Sequence, residues 1–200
     1  MEKIYFLFPK LRPSASNPFF WQPKKLYLNQ ILALEYGNMV MVLLNYFIWF
    51  FLLFISYLLV SRSANAFWQI LLCTVVGEII EKYGKKYGLW KRPIYALHQD
   101  APPGLVSRWY ATGSFPSGHT IKAAYFFLFV TQYGVMNPLV YLLVTLPLII
   151  FRVLVGFHYP LDILGGLVIG WLLWLLTHGL VFPEFLNTII IYLYHFVFPY

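Results

Sequence analysis

From residue 39 to residue 60 the chain reads MVMVLLNYFIWFFLLFISYLLV, without one charge. A helix needs roughly 20 mostly apolar residues to cross a bilayer, and this run supplies them. Comparable runs follow at 66–84, broken by Glu78, at 120–136, at 138–156 with Arg152 near its end, and at 161–182. The run at 185–198 is too short to span, and reads as an interfacial helix or a truncated sixth crossing. The pattern predicts an all-α fold: a polytopic membrane helical bundle of five transmembrane helices, or six if 185–198 crosses. Ahead of it, residues 1–36 mix Phe, Tyr and Trp with Lys3, Lys10, Arg12, Lys24 and Lys25. That mixture predicts an amphipathic collar on the membrane surface. The expected division is therefore an interfacial segment at 1–38 and a membrane domain at 39–200. The first long apolar run starts near residue 39 and is long enough to span, so no cleavable signal sequence is expected.

Composition sharpens this picture. Charged residues make up 10% of the chain and hydrophobic ones 60%, whereas soluble domains carry about 25% charged residues. The solvent is a bilayer, and a nucleic-acid partner is not expected. Cys73 is the lone cysteine, so no intramolecular disulfide can form and it reads as a packing residue. Of the 14 Lys and Arg, only Arg62 falls on the face that holds the 61–65 and 134–138 turns. The rest lie on the face that holds the tail, the long 85–118 loop and the turn at 156–160. Raw counting makes that face cytoplasmic by the positive-inside rule. Cations that hold an anion would spoil such a count.

Three short stretches bring chemistry to that face, each at a span end. The first runs from Lys85 to Arg92 and Pro93. The second is Pro116-Ser117-Gly118-His119. The third is Arg152, His158 and Asp162 in RVLVGFHYPLD. Ser117 fits a helix N-cap whose oxygen accepts from the first backbone donors. Gly118 leaves room for close approach to the backbone, and a helix start attracts anions. The alternative is a capped helix whose histidine faces water. Pro160 fits a first helical position, which puts Asp162 in the first turn and within reach of His158. A carboxylate on one imidazole nitrogen fixes the tautomer and frees the other for attack. The alternative is a surface pair that only caps the helix. Lys85, Arg92 and Arg152 can neutralise a phosphate. Lys82, Lys86 and Lys122 read better as cations snorkelling to headgroups. Glu78 with Lys82, and Glu81 with Lys85, are spaced as helical ion pairs. His98 and Arg108 are possible headgroup contacts in the long loop. Gly166 and Gly170 are spaced for close helix packing, and His178 and His195 lie toward the opposite face.

Taken in order, these three stretches resemble the three-part signature of the type 2 phosphatidic acid phosphatase superfamily, over about residues 80–182. The resemblance implies a membrane lipid phosphatase with its active-site motifs within 80–165. It needs neither a metal nor another cofactor. His158 is then the nucleophile, forming a phosphohistidine, and Asp162 orients it. His119 is the general acid and base. Lys85, Arg92, Arg152, Ser117 and Gly118 hold the phosphate. Its partners are the bilayer and a lipid phosphate, while the oligomeric state is not fixed by sequence. Substrate classes implied are lipid A 1-phosphate, phosphatidylglycerol phosphate and undecaprenyl pyrophosphate, in a bacterial inner membrane with the site on the periplasmic face. Two departures stand out: Phe151 replaces the serine usual before the third motif's arginine, and two spans precede the first motif where three are common. The rival readings are phosphoryl transfer to a lipid acceptor, vanadate-dependent halide oxidation, and a non-catalytic lipid or anion carrier.

Overall fold

Each predicted apolar run forms a helix in the computed structural model, which describes residues 17–23, 30–31, 36–96 and 111–199. Among these residues the α-helices number seven: α1 (Gly37–Arg62), α2 (Ala64–Tyr87), α3 (Pro93–Ala96), α4 (Gly118–Tyr133), α5 (Pro138–Leu154), α6 (Pro160–Thr177) and α7 (Glu184–Val197). A 3-10 turn at Pro18–Phe20 precedes them. The helix ends follow local chemistry. Extended Ser63, at φ −157°, breaks α1 from α2. Gly134 ends α4 at φ 63°, a left-handed conformation that glycine adopts without steric cost. Asn137 caps α5 by accepting from Leu139 N–H at 2.8 Å, with Pro138 behind it at the first helical position.

Among the described residues, three helices are long and apolar enough to cross a membrane: Met39–Arg62, Ala64–Tyr87 and Pro160–Thr177. They mark the chain as an integral membrane protein. Helices α4 and α5 coincide with two more expected spans but hold 16 and 17 residues. At 1.5 Å per residue each is roughly 25 Å long, short of the ~30 Å hydrocarbon core. Helix α7 is shorter still, at 14 residues.

Helix α4 is the centre of the bundle. It buries Thr120, Ile121, Lys122, Ala123, Tyr125, Phe126, Phe129 and Val130 against α1, α2, α5 and α6. The outer faces are apolar instead: Leu53, Leu139 and Leu143 are all exposed, as lipid contact requires. Gly166 and Gly170 let α6 close on α4, as their spacing suggests. A Cβ on Gly170 would lie 2.5 Å from the Ile121 carbonyl oxygen and 2.6 Å from Ala124 Cβ. Gly170→Ala is therefore expected to destabilise the fold by about 1–3 kcal/mol, as overpacking does. Gly179, with nothing within 4 Å of its virtual Cβ, is the control. Thermal unfolding in detergent compares the two, and equal melting temperatures would contradict this packing.

The two ends of the bundle differ. At one end Asn65 donates to Leu180 O and Gln69 to His178 O, while Tyr133 donates to Gln69. This end carries Arg62 and His178, as expected, and holds no motif residue. Cys73 is buried, within 3.0 Å of Thr177 Oγ1. At the other end Phe20, from the tail, is 2% exposed and packs edge-on against Trp90 and Tyr159, each at 5.1 Å. That stretch of the expected collar is thus seated on the protein beside the motif residues. The tail's Lys3, Lys10, Arg12, Lys24 and Lys25 lie outside the described residues.

Candidate active site

The third stretch folds into a tight hook. The Arg152 carbonyl, at the end of α5, accepts from both Phe157 N–H (2.9 Å) and His158 N–H (3.3 Å), and Gly156 turns the chain at φ 76°. Pro160 opens α6, and the Asp162 carboxylate reaches back to accept from Tyr159 N–H at 2.7 Å. His158 is 1% exposed and Asp162 0%. Their pairing is less direct than the spacing suggests. His158 Nδ1 is 2.9 Å from the Ser114 carbonyl oxygen but 3.5 Å from Asp162 Oδ2. Asp162 is already occupied. It accepts from Trp90 Nε1 at 2.9 Å and from the Ser114 hydroxyl in a short contact, besides Tyr159. Ser114 therefore joins the two, its hydroxyl on the carboxylate and its carbonyl on the ring. A carbonyl can only accept, so Nδ1 carries the hydrogen and Nε2 keeps its lone pair. Burial, then the charges of Arg92, Arg152 and Lys85, hold the His158 imidazole well below its ordinary pKa. The bond to Ser114 opposes this and loses. The ring is neutral at neutral pH, which a nitrogen nucleophile needs.

The predicted cations surround this ring. Arg92, 3% exposed, donates to the Phe157 carbonyl at 2.8 Å and to Thr112 O and Oγ1, each at 3.2 Å. Arg152, 8% exposed, donates to Asn45 Oδ1 at 2.9 Å. Its guanidinium lies 4.9 Å from the Phe157 ring centroid, and that of Arg92 lies 5.9 Å from the same ring. Lys85, in the last turn of α2, is close enough to Arg92 and Arg152 to feel both charges. Gathering three cations is costly unless an anion offsets them. Among the described residues, no group of three or more His, Cys, Asp or Glu converges to hold a metal ion.

The start of α4 departs from expectation in two ways. Ser117 occupies the N-cap position, yet its Oγ takes no backbone donor and accepts instead from Thr120 Oγ1 at 2.9 Å. Its own N–H donates to the Asp162 carbonyl at 3.2 Å, which ties the second stretch to the third. The amides of the next three residues open the helix and have no carbonyl one turn back. Second, the space beside Gly118 is filled from within. A Cβ there would collide with the Glu81 carboxylate, so the close approach that Gly118 permits belongs to Glu81. Glu81 pairs with Lys85, as expected, and also with Lys122 at 3.0 Å. Lys122 in turn binds Glu78 at 2.8 Å and is buried. It does not snorkel, and Glu78 pairs with it in place of Lys82, because α2 and α4 pack face to face. His119 follows Gly118. Its ring meets Trp49 edge-on at 5.7 Å, and its buried Nε2 has no hydrogen-bond partner among the described residues. Arg152, Lys122, His158 and Lys85 all lie within electrostatic reach of it.

The structure thus brings together Lys85, Arg92, Ser117, Gly118, His119, Arg152, His158 and Asp162. His98 and Arg108 lie outside the described residues. Sequence reasoning passed over Ser114, Thr112, Trp90, Phe157, Asn45 and Trp49. Asn45, which with Ser56 interrupts the apolar α1 run, was the one visible signal among them.

No curated protein and no solved structure matches the chain. One family model does: that of the PAP2 superfamily, whose enzymes are phosphatases, matches residues 66–185. That stretch is more than half of the chain and contains every residue of the three motifs, so the chain belongs to the PAP2 superfamily.

Proposed function

We propose that this protein is a membrane lipid phosphatase that removes a headgroup phosphate through a phosphohistidine on His158. The observation that carries this reading is the seating of that ring: Nδ1 faces the Ser114 carbonyl at 2.9 Å, while three cations act on the ring from around it. In the first step Nε2 attacks phosphorus and the bond to the lipid oxygen breaks. His119, protonated once the substrate's phosphate offsets the surrounding cations, gives its proton to that oxygen, releasing the alcohol, or the lipid monophosphate where the substrate is a pyrophosphate. In the second step neutral His119 takes a proton from water. The hydroxide attacks phosphorus, the P–N bond breaks and phosphate leaves. Asp162, itself fixed by Trp90, acts through Ser114 to hold the ring and offset its charge. Lys85, Arg92, Arg152 and the opening amides of α4 hold the phosphoryl oxygens, since phosphoryl transfer depends mainly on positioning and charge.

We place this chemistry in a membrane domain over residues 39–200, with α4 and α5 crossing alongside the three longer spans. The site faces the periplasmic side of a bacterial inner membrane. The raw cation count at that end runs against this, but four of those cations are accounted for by the site. Lys85 and Lys122 are paired with Glu81, and Arg92 and Arg152 are bonded within the site, so they serve chemistry more than topology. The substrate is one of lipid A 1-phosphate, phosphatidylglycerol phosphate or undecaprenyl pyrophosphate. A phosphate-release panel over these three, with the purified protein in detergent and a chelator present, tests the reading. Release from at least one, blocked by vanadate, is expected; no release from any would overturn it.

A further inference from the structure

Helix α1 carries none of the three motifs, yet it forms a wall of the site. Its buried seam runs Met41, Asn45, Ile48, Leu52, Ile55 and Leu59, at alternating steps of four and three, the period of a packed helix. Five of these are apolar. The sixth is an amide, 8% exposed, in a setting where an unpartnered polar group costs several kcal/mol. One turn further, Trp49 faces His119 and lies under Lys122 Nζ, 5.0 Å from its ring centroid.

We infer that Asn45 is a positioning residue for phosphate binding, acting through Arg152. Its Oδ1 accepts from Arg152 Nη1 at 2.9 Å across 107 residues of sequence. A guanidinium has only donors, so the facing atom of Asn45 must be the oxygen. That acceptor is neutral. It fixes the direction of the guanidinium without cancelling its charge, whereas a carboxylate in the same place would hold the arginine and spend its charge. The Phe157 ring lies 4.9 Å from the guanidinium and gives it a face to rest on, while the hydrogen bond from α1 gives it a direction. An arginine on a long, flexible side chain loses phosphate affinity when its orientation is not prepared.

This inference rests on the phosphate site proposed above, and its test separates the two. Vanadate binding is measured directly by vanadium NMR on the full chain in detergent, with melting temperatures alongside. Asn45→Leu is expected to weaken vanadate binding about tenfold, the scale of a hydrogen bond to a charged group. Asn45→Asp is expected to weaken it at least as much while keeping the wild-type melting temperature, an outcome that a purely structural role would not produce. In an Arg152→Ala background, Asn45→Leu is expected to add nothing. Vanadate affinity unchanged in Asn45→Leu, or effects of Asn45→Leu and Arg152→Ala that simply add, would overturn the inference alone. Unchanged affinity in Arg152→Ala would overturn the phosphate site, and the inference with it.

Discussion

Replacing His158 with alanine is expected to stop phosphate release, by at least about 10⁴-fold, while leaving a folded, monodisperse protein. Removing a covalent nucleophile has an effect of this size or larger. His119 has no carbonyl on its ring, and His178, whose Nδ1 does face the Trp174 and Leu175 carbonyls at 3.3 and 3.1 Å, stacks on Trp174 at the far end of the bundle, away from the three cations. The cations that gather the phosphate stay in the variant, since Arg92 and Arg152 are held by Phe157, Thr112 and Asn45 and not by the ring of His158. Turnover should therefore vanish while vanadate still binds. Phosphate release at the wild-type rate would remove His158 from the chemistry.

His119→Ala should lower lipid hydrolysis by about 10²–10⁴-fold, the usual reach of general acid–base help. The loss should depend on the leaving group. A lipid alkoxide needs the proton, but an aryl phosphate leaves without it. With an aryl phosphate the variant should therefore phosphorylate quickly and hydrolyse slowly, giving one rapid turnover of phenolate followed by a slow phase. Stopped-flow absorbance reads this. An equal loss for both substrates, with no rapid phase, would mean that His119 shapes the site and moves no proton.

Much of this was legible in the sequence because lipid contact writes itself into long apolar runs. The positions of α1, α2 and α6 follow from that alone, and the Gly166–Gly170 pair marked a face of α6 for close packing, though the partner, α4, is seen only in the structure. The motif residues were readable because each lies at or beside a helix end, where backbone groups and charges are exposed. What stayed hidden depends on contacts between helices. Ser114 looks like a loop serine until the hook at His158 folds onto it. Lys122 reads as a snorkelling cation until α2 brings Glu78 and Glu81 against it. Ser117 fits a backbone cap until Thr120 takes its oxygen. The short lengths of α4 and α5 were hidden for a different reason. Residues past Tyr133 and Leu154 are still apolar, but Gly134, with its left-handed backbone, stops α4, and the Arg152 hook stops α5.

The account depends most on one bond, between phosphorus and Nε2 of His158. Rapid acid-free quenching of the enzyme during turnover of a radiolabelled substrate, followed by peptide mapping, tests it directly. The account predicts an acid-labile, alkali-stable label on the peptide containing His158, attached at Nε2 because Nδ1 is held by Ser114. It should be absent from His158→Ala and accumulate in His119→Ala with an aryl phosphate. Steady release of phosphate with no label on His158 at any time would contradict the account.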